Sequence, residues 1–416
     1  MIPMLYRTVP RTQEKVPILG FGCMRFPEKN GVIDEERSIY LLRYAIDKGV
    51  TYLDTAWPYH HGQSETFLGK ALSDGYREKV QLATKLPHWL VKTREDMDTF
   101  LNLQLSRLNT NHIDYYLIHS IGQESWERMK KLGILEFLDL AKRDGRIRNT
   151  GFSFHEDTRT FKKIVDDYNW ECCLIQYNIL DELSQAGRDG LYYATQKDLA
   201  VFIMEPLRGG KLAQIPPPDI TKILEEAPVE RTPAEWALRW LWDQPEVTMV
   251  LSGMNDISQV DENCSIANVA YPGSLTQDEQ DLITKVSETW RSLMKIPCTG
   301  CQYCMPCPFG VNIPSCFEMY NNVYMFGDTW RTNAVYAARL GGVMSGIAHA
   351  SVCTECGSCM SSCPQGIVIP ERLKDVSARL EGPFFHLIVF SAKLTLPIIR
   401  YVELFKNRRL NRIMNK

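Results

Sequence analysis

Eight short apolar runs, each followed by a longer amphipathic stretch, constrain this 416-residue chain more than any other feature. The runs lie at Leu19–Gly22, Thr51–Ala56, Val80–Lys85, Asp114–His119, Asn149–Phe154, Cys172–Asn178, Leu199–Pro206 and Thr248–Met254. Several are apolar throughout rather than alternating, as strands of a parallel sheet covered on both faces should be. The stretches Glu35–Lys48, Ser64–Ser73, Arg94–Leu108, Trp126–Arg143, Glu156–Tyr168 and Pro233–Trp242 carry helical spacing. Eight βα units within roughly 270 residues fit an α/β chain closed into a (β/α)8 barrel better than an open sheet. A hairpin over residues 5–18 precedes them, and Pro216–Pro218 marks a loop before a further helical segment. Helical Asp278–Lys295 leads into Pro297, where composition changes. The chain therefore divides into residues 1–292 as the barrel, 293–380 as a cysteine-rich domain and 381–416 as a tail.

The run TYLDTAWPY, residues 51–59, ends in a carboxylate, Asp54. A charge closing an apolar run is costly unless a partner waits there. Lys85 closes a second such run and His119 a third, with Tyr59 on the loop just past the first. In a closed parallel barrel all carboxyl strand ends share one mouth, so these four groups converge there. A tyrosine is too weak an acid near neutrality to give up a proton unless a cation favours its phenolate. A buried lysine held charged by a carboxylate supplies that cation. The plainer reading is a core ion pair, Asp54–Lys85, beside a satisfied core histidine.

The landmarks LGFGCMRFP at 19–27, DTAWPY at 54–59, LGKAL at 68–72, ATK at 83–85, DYYLIH at 114–119 and GRIRNTGFS at 145–153 match a known family, as do QYN at 176–178 and PLRGG at 206–210. In order, spacing and strand position the first 290 or so residues resemble the aldo-keto reductases. The resemblance implies a catalytic tetrad of Asp54, Tyr59, Lys85 and His119, with Tyr59 as general acid, and a bound NAD(P)H. It implies further that Ser153 and Gln176 hold the nicotinamide carboxamide, and that Met204 stands where many members stack an aromatic residue. Ser252, Gly253 and the stretch through Asn263 fall on the adenosine-phosphate loop, with Gln259 at the position of an arginine that often holds a 2′-phosphate. Asp256 adds negative charge there, so NADH and NADPH both stay open. Glu262 and Asn263 match adenine contacts, with helix capping as the alternative.

Of thirteen cysteines, eight fall between Cys298 and Cys363 in two similar runs. The first is Cys298-x2-Cys301-x2-Cys304-x2-Cys307-Pro, continuing FGVNIP; the second is Cys353-x2-Cys356-x2-Cys359-x3-Cys363-Pro, continuing QGIVIP. The second is the bacterial ferredoxin spacing, in which the fourth cysteine serves the other cluster. By that rule Cys298, Cys301, Cys304 and Cys363 bind one [4Fe–4S] cluster, and Cys353, Cys356, Cys359 and Cys307 the second. Zinc is the alternative, because paired C-x2-C units also make zinc sites. A helix-rich segment, Ile313–Leu340, separates the runs, so the module resembles a mainly α-helical two-cluster ferredoxin-like domain. Cys23, Cys172, Cys173, Cys264 and Cys316 lack such spacing and read as core or loop residues.

Cluster ligation points to a reducing compartment, and the cytoplasm is the expectation. A net charge of −3 gives no reason to expect nucleic-acid binding. No run of about 18 uncharged apolar residues appears, so no membrane span is expected. The tail is apolar first, and from Lys393 onward it carries seven Lys or Arg against one acidic residue, Glu403. Packing on the rest of the protein is the favoured reading; contact with an acidic redox partner protein or an anionic membrane surface is the other. The chain reads as an oxidoreductase acting on a small carbonyl or alcohol substrate, coupled to or stabilised by two clusters. The alternative is an electron-transfer or docking protein on a catalytically retired barrel.

Overall fold

A computed structural model describes residues 4–298, 300, 304–327, 329–343, 346–363 and 365–393. Cys301, Pro364 and the tail from residue 394, with Pro397, Arg400 and Glu403, lie outside the described residues.

An antiparallel ribbon of β1 (Tyr6–Thr8) and β2 (Lys15–Pro17) opens the chain, ahead of β3 (Leu19–Gly22). A second small ribbon, β4 (Glu28–Lys29) and β5 (Val32–Ile33), leads into α1 (Glu35–Asp47). Then come β6 (Tyr52–Asp54), α2 (Ser64–Ala71), β7 (Gln81–Leu86), α3 (Arg94–Arg107), β8 (Ile113–Ile121), α4 (Gln123–Lys131) and α5 (Ile134–Arg143). They are followed by β9 (Ile147–Phe154), α6 (Thr158–Asp166), β10 (Cys172–Gln176), α7 (Gly187–Gln196), β11 (Ala200–Met204), α8 (Pro218–Glu225) and α9 (Pro233–Trp242). β12 (Val247–Ser252), α10 (Ile257–Ala267) and α11 (Gln277–Ser292) end the series. Strands β3 and β6–β12 are parallel neighbours throughout and close into a barrel.

The alternation of side chains along each strand sorts them into two apolar layers. Tyr52, Tyr115, Leu117, Leu174, Phe202 and Met249 fill the barrel interior, where the rings of Tyr52, Tyr115 and Phe202 meet pairwise at 5.2–5.7 Å. The ribbon β1–β2 plugs one end: Val9 and Val16 join the interior, and Glu14 accepts hydrogen bonds from Tyr115 Oη (2.9 Å) and Asn149 Nδ2 (3.0 Å). Opposite strand residues such as Leu53, Ile118 and Phe152 pack outward against the helices.

Two helical stretches differ from the sequence reading. Trp126–Arg143 is two helices, because Gly133 turns the chain with φ = 80° between α4 and α5. The stretch from Glu156 begins only at Thr158: Asp157 caps α6 by accepting from Thr160 N, and Glu156 Oε2 accepts instead from Gln123 N at 2.8 Å.

The chain divides into two compact units at Ser287/Glu288, inside α11 rather than past its end. Arg231–Glu279 and Ser287 Oγ–Ile179 O fasten the first part of that helix to the barrel. The second unit has its own apolar core, built from α12 (Ile313–Phe326), α13 (Thr329–Leu340) and α14 (Ile369–Leu380). The helix-rich segment Ile313–Leu340 holds α12 and α13, and α12 ends at Gly327, where φ = 67°. The repeated tails of the two cysteine runs recur as structure, since each leads into a helix with proline in its first turn, Pro314 in α12 and Pro370 in α14. After α14, residues 385–393 are helical, with Phe385 and Val389 buried in this core and Phe384, Leu387, Ile388 and Phe390 exposed.

Candidate active site

Asp54 closes β6, Lys85 lies near the end of β7, and His119 lies near the end of β8, so the barrel brings all three to one mouth. Lys85 is 1% exposed and donates to Asp54 Oδ1 at 2.5 Å and to the Thr55 carbonyl at 2.8 Å. Its Nζ lies 3.4 Å from Tyr59 Oη. The Tyr59 and His119 rings meet edge to face at 6.1 Å, and Trp89 lies 5.3 Å beyond.

The electrostatics follow from burial and from this one cation. Burial works against the Lys85 ammonium, and Asp54 and Tyr59 together outweigh it, holding Lys85 above its ordinary value. Burial raises Tyr59 above its ordinary value while Lys85 pulls it back, so the phenol keeps its proton. Burial, and then the Lys85 charge, push His119 well below its ordinary value, leaving a neutral imidazole. Its Nδ1, like Asp54 Oδ2, is buried without a hydrogen-bond partner among the described residues.

Supporting residues without a sequence signal lie behind these groups. Glu65 is fully buried on α2, and its Oε1 accepts from Thr84 Oγ1 (2.7 Å) and Gln104 Nε2 (2.6 Å). Arg107 reaches its other oxygen at 3.2 Å. Gln104 also donates to the Lys85 carbonyl at 3.0 Å, so this network fixes the backbone that carries the ammonium. On the other side, His60 and His61 follow Tyr59 with φ of 50° and 55°. Left-handed backbone of this kind costs a non-glycine residue roughly 1–2 kcal/mol.

The expected nucleotide contacts lie at the ends of the other strands. Ser153, on β9, accepts from Ser120 N at 2.7 Å, which leaves its own hydroxyl proton for a further partner. Gln176, ending β10, has both ends of its amide engaged, by Asp181 and Gln185, each at 3.0 Å. Met204 ends β11, half-buried against the barrel interior. Gly253 makes room for Arg25, whose Cδ would lie 3.0 Å from a Cβ there, and Arg25 pairs with Glu205 at 3.6 Å. Ser252 and Asn263 hold each other at 3.0 Å. Asp256 caps α10 and pairs with Arg37 at 3.2 Å, and Gln259 accepts from Asn255 N at 2.9 Å. Glu262 accepts from Thr232 Oγ1 at 2.6 Å.

In the second unit, Cys298, Cys304, Cys307, Cys353, Cys359 and Cys363 are half-buried along the edge of its core, and Cys356 is exposed. Backbone N–H groups of Gly300 and Glu355 donate to Cys298 Sγ and Cys353 Sγ at 3.4 Å, the bonding that steadies thiolates. Burial raises Cys359, and the charges of Cys353, Cys307 and Cys356 act in the same direction. Among the described residues no three His, Cys, Asp or Glu side chains are arranged to hold a single metal ion. A wholly thiolate donor set spread along loop edges fits iron–sulfur ligation. Cys23, Cys172, Cys173, Cys264 and Cys316 are buried, as expected of core residues.

A model of the aldo/keto reductase family matches residues 18–288, and a model of the 4Fe-4S dicluster domain matches residues 297–371. The uncharacterized oxidoreductase YqkF of Bacillus subtilis (strain 168) is 25% identical over 291 residues, 63% of this chain and 89% of that protein. The holo form of aldo-keto reductase AKR11C1 from Bacillus halodurans is 27% identical with a TM-score of 0.58, over 68% of this chain and 96% of that one. An aldo-keto reductase from Klebsiella pneumoniae in complex with NADPH shares the fold at 24% identity and a TM-score of 0.55, over 68% and 96% of the two chains. With its barrel matched almost end to end, the chain belongs to the aldo/keto reductase family of oxidoreductases and carries a 4Fe-4S dicluster domain in its C-terminal region.

Proposed function

We propose that the barrel interconverts a carbonyl and an alcohol on a small-molecule substrate with NADH or NADPH. The observation that carries this reading is the single buried ammonium of Lys85, bonded to Asp54 and within reach of the Tyr59 hydroxyl, beside a neutral His119. The bound dinucleotide would supply the hydride in one direction and accept it in the other. In reduction, Tyr59 O–H donates its proton to the substrate oxygen, and Lys85 stabilises the phenolate that remains. Asp54 keeps Lys85 charged through this exchange. His119 presents an imidazole N–H that orients the carbonyl and stabilises charge growing on its oxygen. In oxidation the Tyr59 phenolate takes the alcohol proton. The unpartnered buried Nδ1 of His119 supports a site that a ligand completes. Ser153, Gln176, Met204, Ser252, Gly253, Gln259 and Asn263 would hold the dinucleotide, with Ser153 keeping a free hydroxyl proton for it.

We assign Cys298, Cys301, Cys304 and Cys363 to one [4Fe–4S] cluster and Cys307, Cys353, Cys356 and Cys359 to another. The ferredoxin spacing of the second run, in which the fourth cysteine serves the other cluster, supports that exchange of ligands between the two runs. Each cluster passes one electron where the dinucleotide passes two, so a redox partner protein is part of this reading.

Tyr59→Phe is the test. It removes the proton donor but keeps the ring, and turnover of aldehyde substrates should fall about 10²–10⁴-fold with dinucleotide affinity retained. Wild-type turnover in this variant would exclude Tyr59 as the acid. Absence of both dinucleotide binding and turnover in the cluster-loaded wild type would favour the retired barrel.

A further inference from the structure

Immediately after Tyr59 the backbone takes a form that side chains resist. His60 (φ 50°, ψ 47°) and His61 (φ 55°, ψ 33°) are both left-handed, and Gly62 continues the turn at φ = 85°. Glycine adopts this backbone freely, whereas any other residue is strained. Strain that persists beside a reacting group calls for something that over-determines it. Among the described residues no side-chain hydrogen bond holds His61; the His60 side chain is held.

The His60 side chain is 4% exposed. Its Nε2 lies 3.2 Å from the backbone nitrogen of Phe26, and its Nδ1 lies 2.8 Å from Glu28 Oε1. The ring also sits 5.8 Å from that of Phe26, which in turn packs on Phe21 and Phe67. These contacts fix the tautomer. A backbone N–H can only donate, so Nε2 is the bare nitrogen and accepts; Nδ1 then carries the proton and donates to the carboxylate. One neutral imidazole thus joins three segments: the turn that carries Tyr59, the loop after β3, and β4, which begins at Glu28.

We propose that His60 is a positioning residue for Tyr59, clamping its turn to Phe26 and Glu28 so that the hydroxyl keeps its place beside Lys85. This rests on the reading of Tyr59 as the proton donor. An acid misplaced by a fraction of an ångström still binds substrate but transfers its proton poorly, so the clamp acts on kcat and hardly on KM.

The test compares His60→Gly, His60→Gln, Glu28→Gln and Glu28→Ala in the full, cluster-loaded chain. His60→Gly removes the clamp while suiting the left-handed backbone, so this variant should still fold. Its kcat should fall about 10–100-fold, with KM and dinucleotide affinity within about twofold. His60→Gln keeps an acceptor within reach of Phe26 and should recover much of that loss. Glu28→Gln retains an acceptor for Nδ1 and should lose less than Glu28→Ala. Exchange of the Phe26 amide hydrogen reads the clamp without any turnover: protected in wild type and His60→Gln, fast in His60→Gly. An amide still protected in His60→Gly would show that the clamp does not exist. Fast exchange with wild-type kcat would show a clamp that does not position Tyr59. Should Tyr59→Phe itself turn over normally, the acid reading falls and this proposal falls with it; should Tyr59→Phe fail while His60→Gly turns over normally, only the proposal falls.

Discussion

Lys85 keeps a full charge with almost none of its surface in water, so Asp54 is a condition of the fold. Removing one partner of such a pair leaves an uncompensated buried charge and costs about 3–5 kcal/mol. Asp54→Ala should therefore lower the urea midpoint of the barrel markedly. Asp54→Leu combined with Lys85→Met should restore most of that stability and none of the activity. An Asp54→Ala protein as stable as wild type would mean that Lys85 finds another partner. Asp54, Lys85 and His119 were legible in the sequence because each interrupts an apolar run at its carboxyl end, where a charge or an imidazole is conspicuous. Glu65, Gln104 and His60 were not. Each sits in an ordinary polar stretch, and its burial depends on donors and acceptors from other elements: Thr84, Gln104 and Arg107 around Glu65, and Phe26 and Glu28 around His60. Gln259 shows the same limit, because its capping of the loop at Asn255 is invisible to motif spacing.

At the scale of elements, close approaches decide what substitutions are tolerated. Gly69 on α2 faces the end of α3 so closely that a Cβ there would lie 2.4 Å from the Arg107 carbonyl oxygen. That neighbour is backbone and cannot swing away. Gly69→Ala should destabilise the barrel by about 1–3 kcal/mol, seen as a lower melting temperature, and an unchanged value would refute the approach. Helix α14 ends at Glu381, which accepts from Tyr336 Oη (2.6 Å) and Ser351 N (3.1 Å) and lies 3.2 Å from His349 Nδ1. Burial works against that carboxylate, yet its neighbours His349, Ser351 and Tyr336 hold it down to about 2, against 4.5 ordinarily. A depressed carboxyl contributes stability that is present above about pH 4.5 and is lost as pH falls toward 2. Acid titration should show the second unit loosening across that window, with Glu381→Gln less stable at neutral pH and flatter in its response. An identical acid profile in Glu381→Gln would assign the loss to other groups. Element boundaries were less legible than element existence. The helical spacing of Trp126–Arg143 runs straight through Gly133, where a left-handed φ splits the stretch into two helices.

The chain forms two compact units, and among the described residues the cysteines of the two runs pack on the apolar core of the second. Heat should therefore release the units one after the other, so differential scanning calorimetry of the anaerobic protein should resolve two endotherms. Stripping iron with a chelator should flatten the one belonging to residues 288–416 and leave the barrel endotherm in place. A single endotherm that moves as a whole when iron is removed would show the two units melting together. Separate melting makes oxygen a selective reagent. A sample aged in air would become a natural half-enzyme, colourless yet still able to reduce an aldehyde, so the decay of its brown absorbance and the decay of its turnover can be timed against each other on the same cuvette.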